Sequence, residues 1–202
     1  MSRADHPPAS RAAPMSASAP RLRRTARREQ LLAAATHAFA RNGFAATSLE
    51  DVAVAAGISK VLLYRHFASK ADLYRAVLDR VCARLVDTVG GGEYTSESVD
   101  ALIAAAVADP DGFRLLFQHA AREPEFRQYM EGFREHMTRV AYRQLAEQIL
   151  NPTWAQWAAH LTPMIVVEAL TAWLDVGQPD REQLADRMRQ VIAGIVLAAQ
   201  SP

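Results

Sequence analysis

An all-α fold is what this sequence predicts, and three observations predict it. Apolar residues recur three and four positions apart through most of the chain, which is the spacing of one face of a helix. Capping patterns, a Ser, Thr or Asp followed three residues on by an acid or glutamine, stand at the head of several of these stretches. No segment alternates in the manner of a half-buried strand.

The elements follow in order. Residues 1–22 are rich in Ala, Ser and Pro and lack aromatics, so they form an expected disordered arm that runs into an arginine-rich stretch, "RLRRTARR". Helix 1 is expected from Thr25 as N-cap, through Leu32, Ala35 and Phe39, to a stop at Asn42-Gly43. Thr47-x-x-Glu50 and Ser48-x-x-Asp51 both fit a capping box for helix 2, whose stripe is Leu49, Val52, Ala53 and Ala56. Gly57 ends it, and Ser59 can cap another helix at once. Ser69-x-x-Asp72 opens helix 4, with Leu73, Val77, Val81 and Leu85 at intervals of four, and Gly90-Gly91-Gly92 breaks it. Helices are expected over Val99–Val107, over Phe113–Ala121 and onward from Glu125 to a stop at Asn151-Pro152. Thr153-x-x-Gln156 is the expected cap of a helix to about Val176, kinked at Pro163, and Asp180-x-x-Gln183 caps the last.

Charge divides the chain. Residues 1–80 hold 13 Lys/Arg against 6 Asp/Glu, a balance of +7, and the remainder holds 10 against 16, or −6; the two sum to the formal +1. A polyanion partner is therefore expected for the first part alone. Cys82 is the only cysteine, so no intrachain disulfide framework and no cysteine-cluster metal site can form. A reducing, cytoplasmic setting is the expectation. The twin-arginine resemblance of "RR…LLAAATHAFA" is set aside, because charged residues separate the pair from the apolar stretch. No segment reads as the ~18 apolar residues that a membrane span requires.

Two short helices joined by a tight glycine turn are the helix-turn-helix pattern, here over residues 23–69. In its second helix Leu63 and Phe67 lie four apart and, with Ile58, point toward helices 1 and 2. Lys60, Val61, Leu62, Tyr64, Arg65 and His66 are left on the other faces. Valine and leucine among cationic and hydroxyl side chains suit the major groove, where apolar atoms meet thymine methyls and a lysine can reach guanine O6 or N7. The alternative is an ordinary packed helix with residues 61–62 in the core; the basic balance, the caps and the glycine turn weigh against it. The expected DNA-contacting set is Thr47, Ser48, Ser59, Lys60, Val61, Leu62, Tyr64, Arg65, His66 and Lys70, with arginines 21 to 28 on the adjacent backbone or minor groove.

The stretch "RREQLLAAATHAFARNGFAATSLEDVAVAAGISKVLLYRHFASKADLYRAVL" resembles the N-terminal domain of the TetR family of transcriptional regulators over about residues 27–78. The specific parts are Gly-x-x-x-Thr-Ser…Val-Ala…Ala-Gly-Ile-Ser and Leu-Tyr-Arg-His-Phe-x-x-Lys at the right separation. The resemblance implies a homodimer of about nine helices built around a helix-turn-helix reader, with residues 70–202 as a larger ligand-binding and dimerisation domain. It also implies DNA contacts at Ser48, Lys60, Val61, Leu62, Tyr64, His66 and Lys70. Val61-Leu62 departs from the Gly-Thr or Pro-Thr common in the family, so a threonine hydroxyl contact is absent.

In the second part, Phe113, Phe117, Met130, Phe133, Met137, Trp154, Trp157 and Met164 are the expected wall of an apolar ligand pocket, with His160 and Glu168 as polar members. Glu168 lies inside "MIVVEALTAWL", where a buried charge would need a partner. His119 and Glu123 are four apart on one helix, and two such ligands do not make a metal site. The last two helices, with Gly194, are the expected dimer seam. No nucleophile–base pattern, phosphate-cradling loop or metal-ligand cluster is present, so the chain is expected not to be an enzyme and to need no cofactor. The expected function is a repressor released from a pseudo-palindromic operator by a small apolar molecule. A sequence-blind binder using the arginine arm alone is the rival.

Overall fold

A computed structural model describes residues 18–90 and 96–201. Most of the expected disordered arm, up to residue 17, and Gly91 and Gly92 of the expected break lie outside the described residues. Among those described there are nine α-helices and no strand. They are α1 Ser18–Ala46, α2 Leu49–Ala55, α3 Lys60–Tyr64, α4 Lys70–Val89, α5 Ser96–Ala108, α6 Pro110–Arg114, α7 Arg127–Leu145, α8 Pro152–Asp175 and α9 Arg181–Gln200. The segment after α6 runs on as a π turn, Leu115–His119, and two 3-10 turns, Ala120–Arg122 and Pro124–Phe126.

Three boundaries differ from expectation, each for a local reason. α1 begins at Ser18 rather than at Thr25, because alanine, arginine and leucine all favour the helix and nothing in "SAPRLRR" stops it. Its regular geometry ends as expected at Gly43, whose φ of 75° is open to glycine. The cap of α8 is Asn151, whose side chain accepts from the amides of Thr153 and Trp154 and leaves Pro152 in the first turn, where its missing N–H costs nothing. α8 also continues through Pro163 for 24 residues, so it is long and apolar enough to cross a membrane, which the sequence expectation denied. It is instead packed against α7 and α9, with Ala155, Ala158 and Ala159 fully buried.

The helix-turn-helix is built as its caps predict. Ser48 and Asp51 form a complete capping box, the Ser48 hydroxyl accepting from the Asp51 amide and the Asp51 carboxylate accepting from the Ser48 amide at 2.8 Å. Gly57, at φ 64°, makes the turn, and the Ile58 amide donates to the Ala53 carbonyl at 3.0 Å. Ser59 and Ser69 cap α3 and α4.

The first core cluster does not stop at residue 69. Leu31, Phe39, Val52, Leu63 and Phe67 share it with Leu73, Tyr74 and Val77 of α4 and with Leu115, Leu116 and Phe126. Phe39 and Phe44 meet Tyr74 edge-on, with ring centres 4.8 and 4.9 Å apart, and Phe126 packs on both Phe44 and Tyr74. Polar contacts follow the same route. Arg80, with a side chain 9% exposed, binds Glu29 at 3.0 Å and Asp109 at 3.6 Å, and His37 Nδ1 meets Asp111 at 2.6 Å. α4 and α6 are thus shared between the helix-turn-helix and the helical body.

Candidate nucleic-acid interface and ligand cavity

α3 is a single turn seated by two side chains. Leu63 is fully buried and Phe67 is 3% exposed, so the opposite side of the helix must face solvent. Val61 is 67% exposed and Tyr64 48%, with Ser59, Lys60 and Arg65 also exposed. Leu62 and His66 are half-buried, so the expected outward face is narrower than three successive residues. The guanidinium of Arg28 lies 5.6 Å from the centre of the Phe67 ring, which brings the end of the arginine-rich run against the reading head.

Two residues expected at the interface are held elsewhere. Thr47 is 1% exposed, and its hydroxyl donates to the Gly43 carbonyl at 2.7 Å, closing the gap between α1 and α2. Its side chain is removed from any phosphate. Lys70 is half-buried, and Nζ donates to the carbonyls of Phe44 at 2.8 Å and Ala45 at 3.2 Å while lying 4.5 Å from the Phe44 ring centre. These carbonyls follow the break at Gly43, where helical donors are missing. Lys60 is also paired, with the carboxylate of Glu50, which sequence reasoning overlooked. The signal was available only in space, since Glu50 belongs to the preceding helix.

The helical body holds a cavity of about 730 Å³, partly open to solvent and bounded by the end of α4 and by α5, α7, α8, α9 and the π turn. Phe117, Phe133 and Met137 line it, as expected. Phe113 and Met130 are buried in core clusters and do not. Trp154, Trp157, His160, Met164 and Glu168 do not line it either, and all five are exposed on the outer side of α8. The helix turns its alanines inward, because small side chains let α7 and α9 approach, and that leaves the bulky ones outside. Glu168 therefore needs no buried partner. Among the described residues no group of three or more His, Cys, Asp or Glu could hold a metal ion.

The profile of bacterial regulatory proteins of the tetR family matches residues 31–77. The chain is 39% identical over 107 residues to the HTH-type transcriptional activator FasR of Mycolicibacterium smegmatis, which covers 49% of each chain. The match thus spans about half the length of that relative. A TetR-like transcriptional regulator from Rhodococcus sp. RHA1 superposes with a TM-score of 0.73 at 20% identity, over 85% of this chain and 96% of that one. The regulator FadR of Bacillus subtilis, solved with stearoyl-CoA, superposes with a TM-score of 0.63 at 17% identity, over 83% of this chain and 97% of that one. Residues 31–77 thus match the tetR family profile, and the described helices share the fold of TetR-like regulators.

Proposed function

We propose that the chain is a sequence-specific DNA-binding transcriptional regulator that acts as a dimer and is released from a pseudo-palindromic operator by a small apolar molecule. The observation that carries this reading is the pair of opposed faces on α3. Leu63 and Phe67 anchor the helix while Val61 and Tyr64 stand in solvent beside Lys60 and Arg65. An anchored helix with an apolar and cationic outer edge can enter the major groove, with Ser48, Ser59 and His66 at its margins for phosphate. We assign residues 23–69 to reading, 70–202 to ligand binding and dimerisation, and the arginines of residues 21–28 to the adjacent DNA backbone or minor groove.

Support for a dimer comes from α8 and α9. Trp154 (45%), Trp157 (40%) and Met164 (49%) are exposed on one helix, and Val191 (43%) and Leu197 (68%) on the other. Large apolar side chains concentrated on two adjacent helices mark an interaction surface. A second copy would bury them and set two α3 helices at one operator. Support for an effector comes from the cavity, which touches α4, the helix that carries the reading head. A ligand there weakens operator binding to the extent that it prefers the arrangement that cannot bind.

The test is selection of duplexes from a random pool, followed by binding to the recovered site and to random duplex across a salt series. A preference of at least ~10³-fold for the recovered site is expected. Equal affinity for both, falling with salt in parallel, would leave only a sequence-blind binder. Light scattering on the same sample should give twice the chain mass.

A further inference from the structure

The cavity has two unlike ends, and their chemistry narrows what it can hold. One end carries Arg189, the only lysine or arginine among the described lining residues. Its guanidinium is already engaged by Asp186 at 3.0 Å and by Asp100 of α5. Arg189 and Gln200 lie eleven residues apart on α9, or ~16 Å at 1.5 Å per residue. At the Gln200 end three glutamines gather. Gln144 and Gln148 are one turn apart on α7 and the turn after it, and the Gln200 amide donates to the Gln148 carbonyl at 2.9 Å. The side-chain amides of Gln144 and Gln148 have no hydrogen-bond partner among the described residues. Besides these ends the wall is mostly aliphatic and aromatic, from Val99 and Val166 to Phe117 and Phe133, with Ser98, His136 and Thr162 as its polar members.

We infer that this cavity selects an elongated, uncharged apolar molecule with one hydrogen-bonding head, such as a hydroxyl, ester or ketone, seated against Gln144, Gln148 and Gln200. The inference rests on reading the cavity as an effector site and specifies the class of effector. A carboxylate or phosphate head needs a cation to offset its lost hydration. Here the one guanidinium faces two aspartates, giving a local balance of −1, within a segment whose own balance is −6 over residues 81–202, and the imidazole of His136 is the one other described lining side chain able to carry positive charge. A cationic head fares no better, since no carboxylate lines the cavity itself. Amide side chains both donate and accept, which is what a neutral oxygen function requires. The same features set this cavity apart from one built to bind an acyl-CoA by its phosphates.

The experiment is calorimetric titration of the full chain with three ligands sharing one tail: dodecanol, dodecanoate and dodecanoyl-CoA. Dodecanol should bind at least tenfold more tightly than either anion. An anion that binds as tightly as the alcohol, or more tightly, overturns the choice of head group and leaves the effector site standing. No binding by any of the three overturns the effector-site reading together with this inference. Replacing both amides, Gln144→Leu with Gln148→Leu, should weaken dodecanol severalfold while circular dichroism shows an unchanged helical content. Unchanged affinity in that folded variant would overturn the seating of the head. Asp100→Asn with Asp186→Asn frees Arg189 and should raise dodecanoate affinity, and no gain would overturn the charge argument.

Discussion

Lys70 reaches back from the first turn of α4 to Phe44, lying 4.5 Å from the centre of its ring and donating to its carbonyl at 2.8 Å. The lysine thereby closes the frayed end of α1 onto the start of α4, and Tyr74 and Phe126 pack on the same phenylalanine. Those contacts tie α1 to α4. Lys70→Ala should lower unfolding stability by about 1–3 kcal/mol, the range for hydrogen bonds from charged groups. Urea denaturation of wild type and variant measures the difference. A variant of unchanged stability that binds operator weakly would instead make Lys70 a phosphate contact.

Glu50 holds the ammonium of Lys60 that the proposed function assigns to DNA. Their ion pair is about half exposed, with side chains 57% and 46% accessible, so its own worth is below about 1 kcal/mol. Glu50→Gln frees the ammonium and removes a negative charge near the phosphates. Operator affinity should rise by about two- to fivefold, with a steeper salt dependence. Fluorescence anisotropy across a salt series reads both. A fall in affinity would mean that Glu50 itself makes a favourable contact.

Neighbouring side chains on α3 should behave oppositely. Val61→Ala removes a side chain already 67% in solvent, so stability should change by less than about 0.5 kcal/mol while base preference shifts at one or two positions. Leu63→Ala empties a fully buried site and should cost about 2–5 kcal/mol. Denaturation curves and duplex selection on the two variants separate reading from folding.

Arg80 ties α4 to α1 through Glu29 and to the α5–α6 junction through Asp109. Its partners are partly exposed, so Arg80→Ala should cost about 1–3 kcal/mol rather than the larger penalty of a sealed pair. The sharper outcome is in coupling. The variant should still bind an effector by calorimetry yet respond to it less in operator release. Full release in Arg80→Ala would move the coupling route elsewhere.

Cys82 should be slow to react. Burial first of all raises its thiol from 9.0 to about 11, with the nearby Asp79 carboxylate adding to the rise and the hydrogen bond with Tyr129 opposing it. The thiolate is the reactive form, so at pH 7.5 alkylation by iodoacetamide should be about a hundredfold slower than in denaturant. The sign for stability follows. A thiol more easily protonated when folded stabilises the protein below pH 9, and that contribution is lost as pH rises from 9 toward 11. Cys82→Ala should remove this part of the alkaline destabilisation.

Much of this was legible in the sequence for a physical reason. Caps and turns are local, so Ser48-x-x-Asp51, Gly57, Ser59 and Ser69 could be read from neighbours alone, and all of them stand where expected. The inward direction of Leu63 and Phe67 followed from their spacing of four. What stayed hidden was long-range. Thr47 and Lys70 both satisfy carbonyls at the end of α1, a need created only when α1 stops at Gly43. Bulk suggests burial, which made Trp154 and Trp157 of α8 the expected cavity wall. Close approach of α7 and α9 selects alanine instead, and the sequence carries that signal in Ala155, Ala158 and Ala159.

α3 contains five residues, too few to persist as a helix in water. It keeps its shape only while Leu63 and Phe67 stay docked, so loosening that seat would unmake the groove-facing edge instead of tilting it. Amide protons there should consequently exchange with deuterium sooner in the released form than in the DNA-bound one.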